Sequence, residues 1–327
     1  MAGQSKPQVI DLHAHINVKP AQELMKAAQS APAKPAKPGT GGLSDQSRAP
    51  ILSQIDARLA CMDAMGVDIT VLTPSPPRGF YKADEETAGA VARITNDEVA
   101  KIARDHRGRI VAVGNVALQH VNAAIAELDR ALAAGHKGVR ISTNIAGMEL
   151  GDKRFDPFWA HAERTGALIF LHPQGFTDPK RLEAYYLGNA VGNPLETTLA
   201  LVQMIFGGVF ERYPRLKLVA AHGGGYFPFY LGRFEQAWRM RPECQVNLSR
   251  SPGEVLRQIW FDTVLFRPDQ VAFLIGTVGL DRVVMGTDTP YDMGENDPVG
   301  LIGRVPGLDA AGKAAILGGN AAALLGL

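Results

Sequence analysis

Five side chains able to hold a metal ion or move a proton stand at the ends of short apolar runs. His13 and His15 close Asp11-Leu12-His13-Ala14-His15, and His172 ends Leu-Ile-Phe-Leu-His-Pro. His222 ends Val-Ala-Ala-His-Gly-Gly-Gly, and Asp288 ends Val-Met-Gly-Thr-Asp. Imidazole is the commonest protein metal ligand and suits zinc, iron or nickel. Residues two apart in a strand share a side, so the His-x-His pair is expected to aim both rings at one point. Alone, His-x-His is weak evidence, and Asp288 ahead of Pro290 reads as a turn or cap residue. Together the five point to a site in which Asp288 is a metal ligand or a general base. His106, His120, His136 and His161 fall in helices or connections and read as surface residues.

The elements that must position these groups alternate regularly. Eight apolar, β-branched runs are expected as strands: 9–15, 68–73, 109–115, 137–142, 167–172, 216–222, 259–263 and 282–288. Helical patterns lie between them at 53–65, 85–104, 121–134, 157–165, 194–210, 229–239, 268–278 and 309–325. Ser53 is placed to cap the first, and Pro194 opens the fifth where a missing N–H costs nothing. This pattern predicts an α/β fold, a (β/α)8 TIM barrel formed as a single domain over 1–327. Every candidate group then sits at a C-terminal strand end, the face on which such barrels build their sites. A doubly wound sheet is the competitor, but no Gly-x-Gly-x-x-Gly follows the first strand. Gly223-Gly224-Gly225 lacks the Lys-Ser/Thr of a phosphate loop. There is no internal repeat or linker. The stretch from about Asn17 to Pro50 reads as a long irregular loop over the catalytic face, with an extended solvated part at 32–38.

Composition narrows the function classes. The chain has 327 residues, 34 basic and 33 acidic, with 46% hydrophobic content. That balance gives no electrostatic footprint for nucleic acid or an anionic membrane. No apolar run is long enough to span a bilayer, and the first strand begins too early for a signal peptide. Cys61 and Cys244 lie far apart with no Cys-x-x-Cys, which argues for a reducing, cytoplasmic setting.

With the motifs in place, the sequence resembles the amidohydrolase superfamily. More narrowly, it resembles the branch containing 2-amino-3-carboxymuconate 6-semialdehyde decarboxylase and the non-oxidative aromatic decarboxylases. Beyond the His-x-His, His-Pro, His-Gly-Gly-Gly and Gly-Thr-Asp motifs, the likeness takes in Asn193-Pro194-Leu195-Glu196-Thr197-Thr198. It also takes in Gly207-Gly208-Val209-Phe210-Glu211-Arg212-Tyr213-Pro214, Phe227-Pro228-Phe229 and Gly232-Arg233 through Ala237-Trp238-Arg239. It covers most of the chain and is strongest from about His172 to Asp288.

The resemblance implies that His13, His15, His172 and Asp288 ligate one divalent metal, zinc or else manganese, with water completing the shell. His222 would activate that water or shuttle a proton, and Asp288 would share the catalytic work. Arg239 resembles an arginine lent across a homodimer interface to a substrate carboxylate, and Arg48 more loosely resembles one from the first loop. Two features depart from the family. Gln174 and Gly175 stand where the semialdehyde decarboxylase has Trp-Asp, which places Gln174 with Arg48 and Arg239 among the expected substrate contacts. The first loop also lacks a Phe-Arg-Pro run. Binuclear amidohydrolases usually carry a bridging lysine at the end of strand four, whereas here that strand ends Val139-Arg140-Ile141-Ser142, so one metal is expected.

The implied reaction is non-oxidative decarboxylation of an aromatic, heteroaromatic or muconate-type acid. Protonating the carbon first gives the electrons of the breaking C–CO2 bond somewhere to go. Hydrolysis or hydration of a related carboxylate by the same ligand set is the nearest alternative. A non-catalytic binding barrel is a third reading, but purely structural metal sites are closed and fully protein-ligated.

Overall fold

The computed structural model describes residues 8–29 and 46–327. Strand β1 is Ile10–Ile16 and β2 is Ile69–Pro74. Strand β3 is Ile110–Ala112 with a short continuation at Gly114–Asn115. The remainder are β4 (Gly138–Ile141), β5 (Leu168–Leu171), β6 (Lys217–Ala220), β7 (Ile259–Asp262) and β8 (Val283–Val284). Neighbours among these eight strands pair in parallel, β1 with β2 and β2 with β3, and β3 through β8 in sequence order. A parallel bridge between Ala14 and Thr289 brings β1 against the segment after β8. Leu12 N there donates to Met285 O, and His15 N to Thr289 O. This is the TIM-barrel arrangement of eight βα units.

Two apolar layers fix it. An inner cluster gathers Ile10, Leu12, Ile69, Val71, Val113, Leu168, Phe170, Val219 and Val284, together with Ala321, Leu324 and Leu325 from the C-terminal helix. Alternate residues of the same strands, such as Leu72, Val139, Ile169 and Leu218, join the outer layer beneath the helices. In β1 the register shifts between Asp11 and Ala14. Ile10 and Leu12 therefore face inward, and so do His13 and His15, whose numbers have the opposite parity.

A helix α1 (Lys19–Ala28) follows β1, and the next seven lie where the periodicity places them: α2 (Ile55–Met65), α3 (Glu85–Asp105), α4 (Val121–Ala133), α5 (Asp156–Thr165), α6 (Asn193–Phe206), α7 (Leu231–Met240) and α8 (Pro268–Val278). Several expectations need correction. The stretch after β1 is not irregular throughout, because Pro20 opens α1, which buries Ala21 and Met25 one turn apart. A 3-10 helix follows at Gln46–Leu52, and the expected extended loop at 32–38 lies outside the described residues. Gln54, not Ser53, is the N-cap of α2, and it makes no capping bond. The helix expected over 194–210 stops at Phe206 and resumes as Val209–Arg212, across Gly207-Gly208. The C-terminal helix is divided into Ala310–Ala314 and Asn320–Leu325 by a π-helical turn. Among the described residues no helix is long and apolar enough to cross a membrane.

Candidate metal centre

His13, His15, His172 and Asp288 converge, each offering one ligand atom, with all four atoms within 4.8 Å of one another. All four residues are buried. His13 Nε2 and His15 Nε2 stand 3.1 Å apart, and Asp288 Oδ1 lies 3.3 and 2.8 Å from them. His172 Nε2 is buried with no hydrogen-bond partner among the described residues. A buried polar atom without a partner costs about 1–3 kcal/mol. Three imidazole nitrogens and a carboxylate oxygen aimed at one point relieve that cost by binding a divalent cation. The donor set therefore fits one metal ion.

The surroundings bias these groups toward ligation. His13 Nδ1 donates to Asp262 Oδ2 at 2.7 Å, which leaves the Nε2 lone pair free to face the centre. Burial disfavours a charged His13, but the Asp288 carboxylate and the bonds to Asp262 and Asp288 outweigh it, raising its pKa to about 9 without metal. Burial lowers His15 to about 3, and the Arg140 charge contributes. Burial and the same guanidinium hold His172 well below the ordinary imidazole value. Burial alone would raise Asp288, yet the charge and hydrogen bond of His13, with the hydrogen bonds of His15 and His222, hold it far below the carboxylate range. Asp288 is thus an anion ready to ligate.

His222 stands at the rim of this group. Its Nε2 is 3.6 Å from Asp288 Oδ2, and its Nδ1 has no hydrogen-bond partner among the described residues. One Asp288 oxygen thus faces the imidazole ligands while the other faces His222. β6 ends at Ala220, so His222 starts a turn at φ +56°, followed by Gly223, Gly224 and Gly225 at positive φ. That backbone costs a non-glycine residue roughly 1–2 kcal/mol. Asp262 compensates by accepting from His222 N and Gly223 N, both at 3.0 Å.

His222 and Asp288 form the polar floor of a cavity of about 330 Å³ whose other walls include Tyr226, Phe229, Val264, Leu265 and Phe266. That volume suits a small-molecule ligand. The remaining expected contacts do not line it. Arg48 lies in the 3-10 helix, close enough to Cys61 on α2 to oppose the upward push of burial on that thiol. Gln174 lines a neighbouring cavity of about 610 Å³ and donates to Pro76 O at 3.3 Å. Arg239 is exposed on α7 and donates to Gln236 Oε1.

Two residues of the site were not singled out from the sequence. Asp262 ends β7, and its only advance sign is a carboxylate at the end of the apolar run Ile-Trp-Phe-Asp. Arg140 is the penultimate residue of β4, buried between His15 and His172. The expectation of four surface histidines also needs correction. His136 and His161 are buried, bonded to Ala131 O and to Asp129.

Residues 10–327 match the Amidohydrolase family. The chain is 36% identical over 274 residues to 2-amino-3-carboxymuconate-6-semialdehyde decarboxylase of Dictyostelium discoideum, covering 83% of this chain and 76% of that relative. The solved structure of 5-carboxyvanillate decarboxylase from Sphingomonas paucimobilis superposes with a TM-score of 0.86 at 25% identity, covering 98% of this chain and 100% of that one. A dihydroxybenzoic acid decarboxylase from a Polaromonas species, solved with bound manganese and the inhibitor 2-nitroresorcinol, shares the fold with a TM-score of 0.83 at 22% identity, covering 98% of each chain. The chain belongs to the amidohydrolase superfamily, in the branch of 2-amino-3-carboxymuconate 6-semialdehyde decarboxylase and the aromatic decarboxylases.

Proposed function

We propose that this amidohydrolase-type carboxy-lyase holds one divalent metal, zinc or manganese, and releases CO2 from a small aromatic, heteroaromatic or muconate-semialdehyde acid. Hydroxylated benzoates and picolinates fall in this class. One observation carries the reading: the ligand atoms of His13, His15, His172 and Asp288 converge beneath an apolar-walled cavity that His222 also lines. The muconate-semialdehyde and hydroxylated benzoate classes are those of the relatives' names.

Held by His13, His15, His172 and Asp288, a divalent metal would supply Lewis-acid polarisation of a substrate phenolate or carboxylate oxygen. The chain's own groups do the rest. Phe229, Leu265 and Phe266 offer apolar faces for a flat conjugated ring and keep water from its reacting carbon. His222 holds the proton that this carbon must receive, imidazole being the side chain most often used for general acid–base transfer. The Asp288 oxygen facing His222, 3.6 Å from its Nε2, orients the ring. As the new C–H bond forms, the C–CO2 bond breaks, its electron pair returns to the conjugated system, and CO2 leaves. His222 then recovers a proton from solvent.

Arg239 belongs to this proposal as a carboxylate contact reached through a homodimer, because in its own chain it points to solvent. Arg48, in the 3-10 helix, and Gln174, after β5, belong to it as further substrate contacts. A single domain over 1–327 and a cytoplasmic setting complete the proposal, in keeping with the free thiols of Cys61 and Cys244. The test is a panel of such acids, followed by mass spectrometry and CO2 capture. Loss of CO2 supports the reading, whereas products that have gained water would replace it with hydrolysis or hydration.

A further inference from the structure

Asp262 is fully buried, and its partners are one imidazole and three backbone N–H groups. Oδ2 accepts from His13 Nδ1 at 2.7 Å and from His222 N at 3.0 Å. Oδ1 accepts from Gly223 N at 3.0 Å and Val264 N at 3.1 Å. We propose that Asp262 is a positioning residue that couples His13 to His222, one carboxylate setting the tautomer of the first and the left-handed backbone of the second. This inference rests on the metal reading above.

The two tasks meet in one planar group. A carboxylate on Nδ1–H keeps the proton there and the Nε2 lone pair toward the centre. The successive N–H groups of His222 and Gly223 form a concave pair of the kind that cradles an anion, which holds His222 at φ +56°. Asp262 cannot turn away from one task without abandoning the other. An asparagine cannot replace it, because either orientation of the amide presents an NH2 to a donor.

Gly286 supplies independent support. A Cβ there would lie 2.9 Å from His13 Cβ and 3.0 Å from Asp262 Cβ. The close approach of these two residues therefore needs a glycine, and Gly286→Ala would spread the pair while leaving every polar group in place.

The test compares wild type, Asp262→Asn and Gly286→Ala with zinc as the probe. Zinc dissociation constants come from chelator competition. Hydrogen exchange is followed at the His222 and Gly223 amides in metal-free protein, and the low-field His13 Nδ1 proton in zinc-loaded protein. Asp262→Asn is expected to weaken zinc about tenfold to a hundredfold, to lose that proton signal and to speed exchange at both amides. Gly286→Ala is expected to move the same readouts the same way, by less. His13→Asn separates the tasks, losing zinc but keeping both amides protected.

Wild-type protein that binds no zinc would refute the metal reading. Intact wild-type binding, with unchanged affinity and amide exchange in Asp262→Asn, would overturn the coupling alone. Should both variants fail to fold, wild type decides: zinc must slow exchange at Gly223 and Val264, and unchanged exchange would overturn the proposal.

Discussion

Arg140 Nη2 lies 2.8 Å from His172 Nδ1, and the Pro173 carbonyl oxygen lies 2.7 Å from the same nitrogen. With the proton of Nδ1 directed to the carbonyl, Nε2 keeps its lone pair for the centre. The guanidinium then acts through its charge, disfavouring the imidazolium forms of His172 and His15. It occupies the end of β4, and a side chain that never deprotonates can neither ligate nor bridge metals there. A positive charge inside the ligand set thus favours binding of one metal ion over two.

Arg140→Met should therefore weaken the site rather than strengthen it. Both imidazoles become easier to protonate, so metal loss on acidification should begin at higher pH. Metal retention measured across a pH series checks this. Retention identical to wild type would show that the guanidinium does not influence ligation.

Metal affinity itself should rise with pH. Without metal His13 is protonated up to about pH 9, and an incoming cation must displace that proton. The dissociation constant should tighten about tenfold per pH unit below that value and level off above it. The sign reverses for metal-free stability. A pKa raised on folding stabilises fully below the unfolded imidazole value and loses that contribution as pH climbs through about 9. Chelated protein should therefore melt at a lower temperature at pH 9 than at neutral pH, with a smaller change when metal is bound.

His222→Asn should separate metal binding from turnover. His222 is outside the four-ligand group and faces the cavity. Metal content should remain that of wild type while CO2 release falls about a hundredfold to ten-thousandfold. Unchanged release would move the proton-transfer role elsewhere, Asp288 being next in line.

Arg239→Ala should raise KM about tenfold to a hundredfold with metal content unchanged, the loss expected for one charge-assisted carboxylate contact. Wild-type specific activity should also fall on dilution as the dimer separates. Kinetics independent of both changes would return Arg239 to the role of an exposed helix residue.

Much of this was legible in the sequence because it rests on local pattern. The eight apolar runs, most of the helices between them and all five chemical groups could be placed from strand ends alone. His13 and His15 converge as expected, but by a route the sequence hides. The register shift between Asp11 and Ala14 lets Leu12 and His13 face the same interior, and no side-chain pattern announces a bulge. Asp262 and Arg140 escaped notice for a related reason. Their importance comes from partners 249 and 32 residues away, and each looks like an ordinary strand-end polar residue until the barrel brings those partners together. The helix α1 was missed because Pro, Ala and Lys in the same stretch signal a loop, while only Ala21 and Met25 report its buried face.

The central claim is that decarboxylation depends on one metal held by His13, His15, His172 and Asp288. Elemental analysis of protein purified without chelator, coupled to CO2 release before and after chelation, tests it most directly. The account predicts about one zinc or manganese per chain, loss of CO2 release when the metal is stripped, and recovery when it is restored. Full release from metal-free protein, or no stoichiometric metal even after reconstitution, would contradict it.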